Sequence, residues 1–117
     1  MVDFRLNEEQ MMIRDMAREF CDEEVIPNAE EWDKSGTYPL DAIAKAHELG
    51  LLNVTIPEKY GGAGMSTVDE MIICEELSRG DPGFGTASYH TMLASFPILT
   101  GGTEDQKSEY LGRVASG

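Results

Sequence analysis

The sequence predicts an all-α domain, an orthogonal bundle of five to six helices. Three observations carry this reading. Apolar residues recur at helical spacing in successive segments. Helix-opening signatures stand ahead of those segments, as Asn7 with Gln10, Ser66 with Asp69, Asp81 with Pro82, and Thr103 with Gln106. No stretch alternates apolar and polar residues long enough to make a convincing strand. At 117 residues and 41% hydrophobic composition the chain can build one core, and is too short for two ordinary domains.

The first helix is capped by Asn7, and Ile13, Met16, Ala17 and Phe20 give it one apolar face. Arg14, Asp15, Arg18 and Glu19 fall on the other side. The helix continues to Ile26, where Pro27 is expected to kink or end it. Trp32 is placed to anchor the turn that follows. Gly36 to Pro39 reads as that turn, and Pro39 opens a second helix with Leu40, Ile43, Ala44 and His47 as its stripe. Gly50 closes it. His47 reads as a packed, hydrogen-bonded structural histidine.

Leu51 to Ile56 is extended or a single turn. The glycine-rich run Gly61-Gly62-Ala63-Gly64 has no Gly-Lys-Ser/Thr and no strand ahead of a phosphate-binding helix, so a P-loop is rejected. Its glycines fit a tight connection. In the third helix, Val68, Met71 and Ile72 form the stripe, joined by Glu75 where the stripe reaches solvent or an arginine. Asp81 and Pro82 open a fourth helix through Thr86, Ala87, Tyr89, Met92, Leu93 and Phe96. It carries almost no charge, which predicts burial on most sides, and Pro97 is expected to kink or split it. A last helix runs through Tyr110, Leu111 and Val114.

The formal net charge of −13 disfavours nucleic acid, anionic membranes and CoA phosphates as main ligands. The acidic excess gathers in residues 1–33, where eleven Asp and Glu face only Arg5, Arg14 and Arg18, as a solvated face that steers basic partners. No apolar run reaches the roughly 20 residues of a membrane helix. The absence of a basic, apolar leader and the wide separation of Cys21 and Cys74 point to a cytoplasmic protein with unpaired thiols. The residues carry no zinc spacing, no nucleophile elbow and no full dinucleotide fingerprint; Gly83-Phe84-Gly85 alone is too short. No catalytic residue is assigned.

The order of several short segments resembles the acyl-CoA dehydrogenase family along nearly the whole chain. They are Leu6-Asn7-Glu8-Glu9-Gln10, Glu23-Glu24-Val25-Ile26-Pro27, Glu48-Leu49-Gly50-Leu51-Leu52 and Ile56-Pro57-Glu58 with Gly61 to Gly64. Glu75-Glu76-Leu77-Ser78, Gly102 to Lys107 and Tyr110-Leu111 complete the set. The resemblance is closest to the medium- and short-chain straight-acyl branch. It implies the N-terminal helical domain of an enzyme that introduces a trans-2,3 double bond into acyl-CoA thioesters. FAD is then held between a middle β domain and a C-terminal helical domain, usually in a homotetramer, and neither of those domains is expected within residues 1–117. This stretch is expected to be inactive and flavin-free by itself, and neither Glu75 nor Glu76 takes the role of catalytic base.

Two surfaces follow from the resemblance. Gly85, Thr86, Tyr89 and Leu93 match positions that line the acyl-chain pocket, with Gly85 deepening the tunnel and Tyr89 filling it. Ile13, Leu51, Ala63, Met65 and Ile73 match the pocket that docks electron-transfer flavoprotein, with Ile73 beside its helix's stripe and partly exposed. A stand-alone helical interaction module and part of an acyl-CoA oxidase are the competing readings. A chain that normally leans on other domains is expected to expose apolar surface on its fourth and last helices.

Overall fold

Asn7 opens the first helix through a reciprocal capping box: its side chain accepts from the Gln10 N–H, and the Gln10 side chain accepts from the Asn7 N–H. The computed structural model describes residues 2–117. Five helical rods are joined by turns, and no strand occurs among the described residues.

The first rod is α1 (Glu8–Phe20), a π-turn at Cys21–Val25 and α2 (Ile26–Ser35). The helix neither ends nor breaks at Pro27, contrary to the expectation from sequence. A proline has no N–H for the carbonyl one turn back. Here the chain widens ahead of it, the Ile26 N–H bonding to the Cys21 carbonyl, and then resumes α-helix. Gly36 ends α2 in the left-handed region, with its N–H on the Trp32 carbonyl.

α3 (Leu40–Glu48) turns two of its three alanines inward. Ala42 and Ala46 are buried, whereas Leu40 and Ala44, expected on the stripe, are exposed. The small side chains let the helix approach the core closely, a choice that hydropathy alone ranks below leucine. Gly50, at φ 72°, closes the helix with bonds from Gly50 and Leu51 back to the carbonyls of His47 and Ala46. His47 is half-buried, with Nε2 3.1 Å from the Ala115 carbonyl.

α4 (Thr67–Gly80) departs from its sequence reading as well. Val68, Met71 and Glu75 are exposed and Ile72 is half-buried; the inward residues are Glu70, Ile73, Glu76 and Leu77. Two inward glutamates disguise this face in the sequence. Glu76 is tolerated because Arg18 reaches both its oxygens, at 2.7 and 3.0 Å, and Arg79 adds a bond at 3.2 Å.

α5 (Pro82–Gly101) begins where the Asp81 carboxylate accepts from the N–H groups of Gly83 and Phe84. It runs as one helix, and Pro97 does not split it. The carbonyl that Pro97 leaves without a donor belongs to Leu93, which is exposed, so water can serve it. The last rod is α6 (Glu104–Gln106), a π-turn at Lys107–Leu111 and α7 (Gly112–Ser116), opened by a Thr103–Gln106 capping box.

Two apolar clusters hold the rods together. The larger joins Ile13, Ala17, Phe20, Cys21 and Val25 to Ala42, Ala46, Leu51, Val54, Ile73, Leu77 and Phe84. Trp32 packs against it, stacked on Phe84 at 5.6 Å. The smaller joins Ile56 and Tyr60 to Met92 and Leu111. Each large side chain so buried contributes about 1.5–3 kcal/mol. Asn53 ties the two regions: its Oδ1 accepts from Thr91 at 2.6 Å and its Nδ2 donates to the Val114 carbonyl. It holds a positive φ of 55°, which asparagine tolerates better than most residues.

Candidate functional site

α5 presents two faces. Phe84, Gly85, Ser88, Met92 and Ser95 turn into the protein. Thr86, Leu93 and Phe96 are exposed, Leu93 at 64% and Phe96 at 59%, and Tyr89 lies between the two faces, packed against the cluster of Ile56, Tyr60, Met92 and Leu111. Burial on most sides, expected from the lack of charge, is therefore not observed. The fourth and last helices do expose apolar groups, including Tyr110 at 46%.

Of the four acyl-pocket candidates, Thr86 and Leu93 face outward, and Tyr89 borders that face. Gly85 does neither. It sits where α5 crosses α4, and a Cβ built there would overlap the Ser78 hydroxyl and come within 2.9 Å of the Ser78 Cβ. The expectation that Gly85 deepens a tunnel gives way to a packing role, because α4 already fills that space. Tyr89 is half-buried. Burial pushes its hydroxyl above the ordinary tyrosine range, reinforced by Glu70 and Cys74.

Glu70 is the residue that sequence reasoning missed. It is 8% exposed, and among the described residues it faces no cation and its oxygens meet only the Thr55 hydroxyl, at 3.5 Å. Burial raises its carboxyl above the usual range, partly offset by Thr55. The one available signal was its spacing to Ile73 and Leu77, three and seven residues on.

The docking candidates divide in the same way. Ile13, Ala63 and Met65 line a cleft of about 460 Å³ at the N-terminal ends of α1 and α4. Its rim is polar, with Asn7, Glu9, Gln10, Ser66 and Asp69. Bonds from Ser66 and Gln10 hold the Asp69 carboxyl below its ordinary range. Leu51 and Ile73 are in the core instead, each 2% exposed. The expected partial exposure of Ile73 is thus corrected: its side chain turns inward with Leu77, whereas Met71 is exposed.

The chain matches the family model "Acyl-CoA dehydrogenase, N-terminal domain" over residues 7–117. It belongs to the acyl-CoA dehydrogenase family. The "Probable medium-chain specific acyl-CoA dehydrogenase 2, mitochondrial" of Caenorhabditis briggsae is 44% identical over 115 residues, covering 98% of this chain and 28% of that protein. A structure described as the electron transferring flavoprotein of Acidaminococcus fermentans contains a chain of TM-score 0.89 and 41% identity, covering 99% of this chain and 31% of that one. The glutaryl-CoA complex of glutaryl-coenzyme A dehydrogenase gives a TM-score of 0.88 at 32% identity, covering 98% and 30%. The chain therefore spans under a third of the relatives that it matches.

Acyl-CoA dehydrogenases are flavin-dependent, but the residues of this domain do not fit the cofactor. The cleft between the α2–α3 turn and the start of α5, of about 570 Å³, is lined by Asp33 and Asp81 and by no lysine or arginine, the wrong charge for a pyrophosphate. No step through flavin is derived from this chain. Among the described residues, no helix is long and apolar enough to cross a membrane.

Proposed function

We propose that this domain serves an enzyme that removes a proton from the α carbon and a hydride from the β carbon of an acyl-CoA thioester, leaving a trans-2,3 double bond. The flavin that accepts the hydride and the base that accepts the proton belong to regions outside this chain. The observation that carries the reading is the outward face of α5, where Thr86, Leu93 and Phe96 are exposed and half-buried Tyr89 borders them, an apolar surface without a charged side chain. An acyl chain needs such a wall, and so does a β domain packed over it. Residues 1–117 act as the N-terminal domain of that subunit, which assembles as a homotetramer.

The cleft of Ile13, Ala63 and Met65 serves electron-transfer flavoprotein, its acidic rim at Glu9 and Asp69 favouring a basic approach. A cytoplasmic setting accords with Cys21 and Cys74, both unpaired.

The test is expression of the complete reading frame. The expected product binds flavin, and a straight-chain acyl-CoA bleaches it with formation of the 2-enoyl-CoA. A complete protein without flavin overturns the reading. Rapid flavin reoxidation by oxygen alone would instead assign an oxidase.

A further inference from the structure

The cleft between the α2–α3 turn and the start of α5 meets the acyl wall proposed above only at Thr86. Trp32, Tyr38, Phe84 and His90 form its walls, and the carboxylates of Asp33 and Asp81 lie on it. We infer that it receives an arginine side chain presented by a partner polypeptide.

Charge and shape together select that occupant. Both Asp81 oxygens are held by backbone N–H groups of α5, so its negative charge is fixed in place and offsets the positive end of that helix. Asp33 makes no hydrogen bond or ion pair among the described residues, and it lies in the last turn of α2, at the negative end of the helix dipole. The aromatic walls brace one another in pairs. Trp32 is stacked on Phe84 with an interplanar angle of 17°, and Tyr38 meets His90 edge-on at 6.3 Å. A flat guanidinium can lie on a ring and direct its fork at a carboxylate, whereas a lysine ammonium is compact and strongly hydrated. The net charge of −13 draws any basic partner toward this surface.

This cleft shares Thr86 with the acyl-pocket candidates, whereas Gly85, Tyr89 and Leu93 do not line it. Trp32 is the single tryptophan and so a built-in reporter. The experiment titrates the chain with an acetylated, amidated peptide bearing one arginine between glycines, and with the same peptide carrying citrulline, which keeps the shape and lacks the charge. The arginine peptide is expected to change Trp32 fluorescence saturably, and citrulline to bind at least about fivefold more weakly. Asp33→Asn, an exposed change that leaves the fold intact by circular dichroism, should weaken the arginine peptide about fivefold, and Asp15→Asn on α1 should leave it unchanged. Equal binding of the two peptides, no saturation, or equal losses in the two variants would overturn the inference.

Discussion

The Gln10 side chain donates from Nε2 to Asp69 Oδ1 at 3.0 Å, and so joins the capping box of α1 to that of α4. Each box satisfies backbone N–H groups at its own helix start. The bond between them fixes the spacing of the two rims around Ile13, Ala63 and Met65. Glutamate at position 10 would preserve the first box and place a second carboxylate against Asp69. Gln10→Glu is expected to cost about 1 kcal/mol at neutral pH, with the loss recovered in acid. Denaturant titrations at two pH values check this; equal loss at both would show that the charge is irrelevant.

Gly85→Ala weighs two opposed effects. Alanine gains roughly 1 kcal/mol of helix propensity over glycine. Its methyl group would collide with Ser78, whose Cα lies only 3.0 Å from where the new carbon would sit. Overpacking typically costs about 1–3 kcal/mol, so the variant should be less stable by thermal melting. Ser78→Gly should restore only part, since the backbone of α4 is itself in the way.

Glu70 and Glu76 lie on the same helix with opposite shifts. The Glu70 carboxyl is raised by burial, so its contribution is full below the unfolded-state value of about 4.3 and is lost as pH rises through the higher folded value. The Glu76 carboxyl is lowered, chiefly by Arg18, so its contribution is present above that unfolded value and is lost as pH falls through the folded one. Glu70→Gln should therefore stabilise the domain at pH 7, and Glu76→Gln should destabilise it there by about 1–2 kcal/mol, discounted for the exposure of Arg18. Urea midpoints across pH 3–8 would separate the two signs.

Tyr89 borders the outward face of α5, one turn before Leu93. In the complete enzyme, Tyr89→Gly should extend the accepted acyl chain, read as a shift of kcat/KM toward longer thioesters by about tenfold or more. An unchanged chain-length profile would count against the pocket assignment.

Met65 is 39% exposed at the cleft of α1 and α4. Met65→Glu should slow electron transfer to the flavoprotein partner while substrate still reduces the flavin at the normal rate. Parallel loss of both rates would indicate a folding defect instead.

Helix number, helix starts and the apolar face of α1 were legible because caps and 3.6-residue spacing are local properties. Asn7, Ser66, Asp81 and Thr103 each act where the sequence places them. The faces of α3 and α4 were not legible. Ala42 and Ala46 go inward because a close approach favours small residues, and Glu70 and Glu76 go inward although hydropathy ranks them as surface. Arg18 makes Glu76 tolerable from 58 positions away, which no local window contains. The candidate sites divide along the same line. Family resemblance selected nine positions; tertiary packing set Thr86 and Leu93 outward on α5 with Tyr89 at the border, kept Ile13, Ala63 and Met65 around one cleft, and took Gly85, Leu51 and Ile73 into the interior. Where helices begin, and which family the chain resembles, can be read from contiguous residues and needed no coordinates. Which side of each helix meets the core could not, because that depends on the size and charge of partners distant in the chain, brought together only once the helices pack.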